Sequence, residues 1–304
     1  MRRILIIIMF VLFSLYVFSD ILIFYASSLT PPLKEIAKKY EEKYGEKVLL
    51  EPSASIVVAR KITELGRRAD IALFADKNLF FKMVYPELTD WQIVFASNSI
   101  VLAYTKNSRY SEKINSSNFF EILLGDKDVR FGYPDPRIAP LGYRTHFLFQ
   151  LAERYYNVPG LYEKFKEAKN IYLSRKSIDS LSLLEVGELD YVFEYRSVAK
   201  VHNLKYVEFP EEINLSSPEF EDSYEKTVIS INNKVIMGST IAYTVWIPKS
   251  SKNKEGAIRF LGFFLSEGLK ILEKDGFILI KPYIEGNEEK VPEKIKAMIE
   301  NAGS

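Results

Sequence analysis

Two short segments carry hydroxyl groups where hydroxyls can do chemistry. Ile21-Leu-Ile-Phe-Tyr-Ala26 is an apolar run that ends in Ser27-Ser28 and passes into Leu29-Thr-Pro-Pro-Leu-Lys-Glu-Ile36. More than 25 residues later, Glu51-Pro-Ser-Ala-Ser55 passes into Ile56-Val-Val-Ala-Arg-Lys-Ile62. A helix N-terminus offers unpaired N–H groups and the positive end of the helix dipole, and a serine there adds a hydroxyl donor. Two such ends facing one another can grip a small anion without any basic side chain. Taken singly, each serine also reads as an ordinary N-cap, for which Ser is a preferred residue.

Two other stretches draw attention. Glu185-Val-Gly-Glu-Leu-Asp-Tyr-Val-Phe-Glu-Tyr-Arg-Ser197 places Glu194 inside an apolar strand pattern, beside Tyr195 and Arg196. A carboxylate there is unfavourable unless it is paired or coordinates something. An ion pair with Arg196 or Arg144 meets that demand as well as a ligand does. Gly132-Tyr-Pro-Asp-Pro-Arg-Ile-Ala-Pro-Leu-Gly-Tyr-Arg-Thr145 is dense in Pro and Gly and opens a helix; by itself it also reads as an elaborate turn and cap. The two histidines, His146 and His202, have no metal-ligand spacing, so a zinc site or a His-based triad is poorly supported. No Gly-rich phosphate loop or dinucleotide fingerprint occurs. Zero cysteines exclude disulfides, thiolate metal sites, a Cys nucleophile and a lipidated Cys anchor.

The elements that must position these residues alternate between strand-like and helical patterns, as in an α/β protein. Leu33, Ile36, Ala37, Tyr40 and Tyr44 repeat at helical spacing behind Thr30-Pro31-Pro32, a cap and proline-tolerant first turn. Val48-Leu-Leu, Ala69–Phe74, Ile93–Phe95 and Ile100–Thr105 read as strands, and Ile56–Leu65 as a helix ended by Gly66. From about 106 to 234, helices at 119–124, 143–156, 161–167 and 177–186 surround short strands at 129–133, 191–194 and 205–209. Thr240–Ile247 is a long β-prone run, and Lys254–Lys274 carries a single apolar stripe, which is core packing. The arrangement expected is one lobe (106–234) inserted between the halves of another (20–105 and 235–304).

The 304 residues, 47% hydrophobic and 27% charged, have a globular composition and enough chain for two lobes. A formal net charge of +1 gives no electrostatic footprint for nucleic acid. Met1-Arg2-Arg3, the apolar run Ile4–Phe18 and then Ser19-Asp20 form a secretory signal-peptide pattern over 1–19. The run is short for a retained membrane helix of about 20 residues, although an uncleaved anchor is the other reading. Cleavage after Ser19 leaves a near-neutral exported protein.

Together these stretches resemble the periplasmic molybdate/tungstate-binding proteins of ABC transporters, of the type common in archaea. The resemblance rests on Tyr25-Ala-Ser-Ser-Leu-Thr-Pro-Pro32, Ser53-Ala-Ser-Ile-Val-Val-Ala-Arg-Lys-Ile-Thr-Glu-Leu65 and Ala69-Asp-Ile-Ala-Leu-Phe74. Phe95-Ala-Ser-Asn-Ser-Ile-Val-Leu-Ala-Tyr-Thr105, Pro140-Leu-Gly-Tyr-Arg-Thr145 and Gly187-Glu-Leu-Asp-Tyr-Val-Phe-Glu-Tyr-Arg-Ser-Val-Ala199 extend it, so it runs from about residue 21 to 282. It implies a two-lobed α/β protein of the type II periplasmic-binding-protein fold. Each lobe is then a mixed sheet flanked by helices, and the ligand lies in the interlobe cleft. Ser28 and Ser55 match the two serines that donate to the oxyanion, and Glu194 matches a carboxylate that reaches the metal atom itself. Tyr195 beside it is a further contact. Where the family has a second carboxylate, in Asp-Pro-Cys-Gly-Tyr-Arg, this chain reads Ala139-Pro-Leu-Gly-Tyr-Arg144, so Ala139 occupies the position of a missing ligand. Asp135 lies four residues earlier and is not the matching position. The second serine loop also departs, with Pro52-Ser-Ala-Ser55 in place of a Gly-richer sequence.

The resulting expectation is an extracytoplasmic, monomeric, non-catalytic binding protein that captures tungstate or molybdate for ABC transporter permease subunits and needs no cofactor. Ala139 keeps open the same fold with sulfate, phosphate or a small organic anion. A secreted hydrolase pairing Asp135 with Glu194, and a sensor held at the membrane by the first helix, complete the alternatives.

Overall fold

The computed structural model describes residues 19–175, 177–231 and 233–302, so the expected signal segment lies outside the described residues except for Ser19. Among those residues no helix is long and apolar enough to cross a membrane.

The strands build two sheets. The first has the order β13-β4-β12-β3-β1-β2, formed by Ile21–Ala26 (β1), Val48–Ser53 (β2), Ile71–Phe74 (β3), Trp91–Ser97 (β4), Ala242–Trp246 (β12) and Ile278–Gly286 (β13). The second has the order β7-β6-β8-β5-β9, formed by Ile100–Tyr104 (β5), Phe131–Pro134 (β6), Ile171–Ser174 (β7), Tyr191–Tyr195 (β8) and Lys205–Glu208 (β9). A separate antiparallel hairpin joins Val228–Ile231 (β10) to Lys234–Met237 (β11). In the first sheet β1 is parallel to β2 and β3, whereas β12 runs antiparallel to β3 and β4. The second repeats that mixture: β6 is parallel to β7 and β8, and β5 is antiparallel to β8 and β9.

Central strands are apolar on both sides because both sheet faces are covered. Along β1, Ile21, Ile23 and Tyr25 enter one core while Phe24 enters another with Val58, Phe74, Phe80 and Trp246. Along β5, Ile100 and Leu102 face the main core, whereas Val101 and Ala103 pack with Leu181, Leu184 and Val192. This is the two-residue alternation of a pleated strand with helices on each side.

The lobe boundaries differ from the sequence expectation. β5, expected in the first lobe, hydrogen-bonds β8 and β9 in the second sheet, so the outward crossing falls at Asn98-Ser99. β4 and β5 are equally apolar, and hydropathy registers only the polar Ser97-Asn98-Ser99 between them. The expected return at 235 falls inside the β10–β11 hairpin; the passage back lies between Met237 and Ala242. That hairpin stays with the second lobe: Gln150 on the helix Pro140–Tyr155 donates to the Val228 carbonyl (2.8 Å) and accepts from its N–H (3.1 Å).

The expected helix 254–274 is present as Lys254–Phe263 and Leu269–Lys274, joined by a π-helical turn at Phe264–Gly268. Its apolar stripe packs against the helix Thr30–Tyr44, where Tyr40 meets Phe260 and Phe263 edge-on.

Candidate anion-binding site

In each sheet the chain leaves the carboxyl ends of parallel strands into loops that open helices, the place where open α/β sheets hold ligands. The register sets Ala26 beside Ser53 and Tyr25 beside Leu73. Three loops therefore emerge side by side: Ser27-Ser28 after β1, Ala54-Ser55 after β2 and Ala75-Asp76 after β3.

Neither serine caps a helix. Ser28 lies within a 3₁₀ turn, Ser27–Leu29, that runs into the helix Thr30–Tyr44, and its Oγ accepts from the Tyr243 hydroxyl at 3.2 Å. Thr30 is the first residue of its helix, and its hydroxyl donates back to the Ser27 carbonyl. Ser55 is the first residue of the helix Ser55–Thr63, behind an extended Ala54 at the cap position. Its Oγ accepts from the Ala75 N–H at 2.9 Å. A capping serine accepts from its own helix; these two accept from other elements, and each keeps its hydroxyl proton for donation. Ser53 points elsewhere, since Lys61 Nζ donates to its Oγ at 2.6 Å and to Glu51 at 2.7 Å.

In the second lobe, the loop after β6 leads to Ala139, the extended cap residue of the helix Pro140–Tyr155. Gly142 explains how that helix starts so close to the strand. A Cβ there would collide with the Pro134 carbonyl and lie 2.7 Å from Pro136 Cα. Ala139 offers no donor atom, and Asp135 does not substitute for it. The Asp135 carboxylate is gripped by Arg137 through Nε (2.9 Å) and the backbone N–H (2.8 Å), and Arg137 holds its pKa below the usual range.

Glu194, on β8, is 2% exposed, and its Oε1 accepts from the Tyr195 N–H at 2.8 Å. Arg144, itself buried, donates to the Tyr195 hydroxyl at 2.6 Å. Arg196 turns away, to Glu208 (2.8 Å) and across the lobes to the Gly276 carbonyl (3.0 Å). Burial pushes the Tyr195 phenol up despite the opposing pull of Arg144. Tyr243 is within electrostatic range of both Arg144 and Glu194, and Arg144 is within range of Asp76 on the facing lobe. Tyr243, which donates to Ser28, and Asp76, next to the Ala75 that donates to Ser55, are thus the first-lobe residues in electrostatic range of Arg144.

Beside this group, a cleft of about 330 Å³ is lined by Asp76 and Asn78 of one lobe, Tyr143 and Arg144 of the other, and Ile236 and Met237 of the hairpin. Among the described residues no three His, Cys, Asp or Glu side chains converge to hold a metal ion. Of this group Arg144 lines that cleft, while Ser28, Ser55, Glu194 and Tyr195 do not; Ser28 borders a separate cleft with Ser197 and Phe277. A buried guanidinium suits an oxyanion held by hydrogen bonds.

The histidines are occupied elsewhere. His146 sits between the hydroxyls of Tyr162 (3.1 Å) and Tyr133 (3.4 Å), and His202 lies 3.6 Å from Glu185. Sequence reasoning missed Tyr243 and Asn98. Their signal was present only as a tyrosine in the β-prone run 240–247 and as the polar break between β4 and β5.

The family described as bacterial extracellular solute-binding protein matches residues 21–278. An uncharacterized solute-binding protein of Petrotoga mobilis is 38% identical, over 94% of this chain and 91% of that protein. The molybdate/tungstate-binding protein WtpA of Pyrococcus abyssi is 36% identical, over 93% of this chain and 90% of its own length. The substrate-binding domain of a molybdenum ABC transporter from Clostridium difficile shares the fold, with a TM-score of 0.63 at 20% identity, 86% of this chain and 99% of that one being covered. By the extent of the match and the identity of these relatives, the chain belongs to the bacterial extracellular solute-binding protein family.

Proposed function

We propose that this protein captures tungstate or molybdate in the interlobe cleft and delivers it to the permease of an ABC importer. The family is one of extracytoplasmic binding proteins, so binding and closure are its work, not catalysis. The 36% identity to relatives named molybdate/tungstate-binding proteins supports the ligand class. The observation that carries the reading is the polarity of the site. Ser28 and Ser55, at the carboxyl ends of parallel strands, each accept from a neighbour and keep a proton for an anion.

In this account Ser28 and Ser55 donate from the first lobe, and Glu194 and Tyr195 approach from the second. Glu194 is the carboxylate directed at the metal atom of the ion, and Ala139 removes the second such group. The ion bridges both lobes, which is what makes closure favourable, because a ligand shifts an equilibrium only by its differential affinity for the two states. The segment 1–19 serves as the export signal, and the mature protein acts as a monomer.

Protein purified from cells grown with both ions tests the assignment by elemental analysis. Stoichiometric W or Mo retained through dialysis is the expected result; neither element, with sulfate or phosphate bound instead, would refute it. Glu194→Gln keeps the shape but removes the charge directed at the ion. It is expected to narrow the preference for tungstate over sulfate by about tenfold, the equivalent of one charge-assisted hydrogen bond, while the melting temperature without ligand changes little. Competition binding measures the first effect and a thermal scan the second.

A further inference from the structure

A serine hydroxyl has one proton and two acceptor lone pairs, so its neighbours decide whether it donates to a bound anion or repels it with a lone pair. Around Ser28 that decision is traceable through four buried residues, Asn98, Ser99, Ser197 and Tyr243. The Asn98 Oδ1 accepts from the Ser99 N–H at 3.0 Å and the Ser197 N–H at 3.4 Å. Backbone N–H groups only donate, so the amide cannot be turned the other way. Its Nδ2 therefore faces the Ser197 Oγ at 2.7 Å and the Tyr243 Oη at 3.4 Å. With a donor directed at its oxygen, the Tyr243 phenol turns its own proton to Ser28 Oγ, 3.2 Å away. Tyr243 and Asn98 are wholly buried, which excludes water as a competing partner.

We propose that Tyr243, oriented by Asn98, is a positioning residue that commits the Ser28 hydroxyl to donate to the bound oxyanion. Tyr243 makes no contact with the ion in this scheme and acts through Ser28. It lies on β12, on the return path of the chain, and Asn98 lies at the outward crossing, so the junction between the lobes sets the polarity of the anion site. At Ser55 the Ala75 N–H plays the corresponding part with a backbone donor. Burial first of all holds the Tyr243 phenol pKa above its ordinary value, so the donor persists across the working pH range. The inference rests on the reading of Ser28 as a ligand contact.

The test is a double-mutant cycle on the mature protein, with Tyr243→Phe, Ser28→Ala and the pair, titrated with tungstate and, in parallel, with molybdate, sulfate and phosphate. Tyr243→Phe is expected to weaken tungstate binding about tenfold, in line with one net hydrogen bond. It is expected to have less than about a twofold further effect in the Ser28→Ala background. A purely structural role for the phenol would lower affinity by the same factor in both backgrounds, and that result overturns the inference, as does wild-type affinity in Tyr243→Phe. The thermal scan of each unliganded variant verifies folding. If the wild type binds sulfate or phosphate and not tungstate, the ligand assignment fails while the same cycle, run with that ion, decides the role of Tyr243. Binding of none of the four overturns both.

Discussion

Ser28 and Ser55 lie on different strand–helix loops, yet each has its acceptor side filled from another element and its proton left over. That shared polarity, more than the residue type, separates them from capping serines and from Ser53, whose oxygen is held by Lys61. Removing either hydroxyl by substitution to Ala is expected to weaken tungstate binding by about tenfold to a hundredfold, the range of a hydrogen bond to a charged group. The pair together is expected to abolish binding, while the unliganded melting temperature stays within a few degrees of wild type. Titrations indistinguishable from wild type for both variants would remove the assignment. At this scale the sequence draws attention to residues defined by local context: Ser28, Ser55 and Glu194 each stand next to or within an apolar run. Tyr243 and Asn98 do not, because their role arises from contacts spanning 215 and 145 residues respectively.

Among the elements, legibility followed the length of the apolar run: the edge strands β2 and β9 read as strands as well as the central ones did. Central strands such as β1, β3 and β5 are covered on both faces and write themselves as unbroken apolar runs. β7 and β13 do not stand out in the sequence: β7 is only the four residues Ile171–Ser174, and β13, an edge strand paired with β4, carries Lys281, Pro282 and Glu285 in its length, as edge strands can. The helix Pro140–Tyr155 was legible, but its cap was not, because a close approach at Gly142 rather than a polar side chain sets its start. The same helix carries a pH liability. Burial pushes the His146 pKa down to about 4, whereas in the unfolded chain it is about 6.5. Below that unfolded value the unfolded chain binds more protons, so stability falls as the pH drops from about 6.5 towards 4. The loss from this group at pH 5 is about 2 kcal/mol. Urea unfolding at pH 7 and pH 5 should show it, and His146→Gln should flatten the difference; an equal pH dependence in both proteins would place the cause elsewhere.

For the molecule as a whole, the two sheets are joined by crossings at Asn98-Ser99 and between β11 and β12; Asn98 of the first faces Tyr243, which stands on β12 just beyond the second and donates to Ser28. A contact away from the candidate site also joins the lobes: Arg196, two residues beyond Glu194, donates to the Gly276 carbonyl in the first lobe. Arg196→Met removes that bond and leaves each lobe's core intact. It is expected to shift the unliganded protein towards open forms and to weaken tungstate binding by up to about tenfold. Small-angle scattering should record a larger radius of gyration without ligand; unchanged scattering and affinity would show that the contact does not stabilise closure. The architecture was readable from the alternation of strands and helices, but the division into lobes was not, since adjacent apolar strands can belong to different sheets. The central claim is that one lobe's hydroxyl donors and the other lobe's single carboxylate suffice for tungstate or molybdate with Ala139 in place of a second carboxylate. Calorimetric titration of the mature protein, freed of bound ion, with tungstate, molybdate, sulfate and phosphate tests it most directly. Tight binding of the first two alone is the result this account predicts; binding of sulfate or phosphate in their place, or of none of the four, would contradict it.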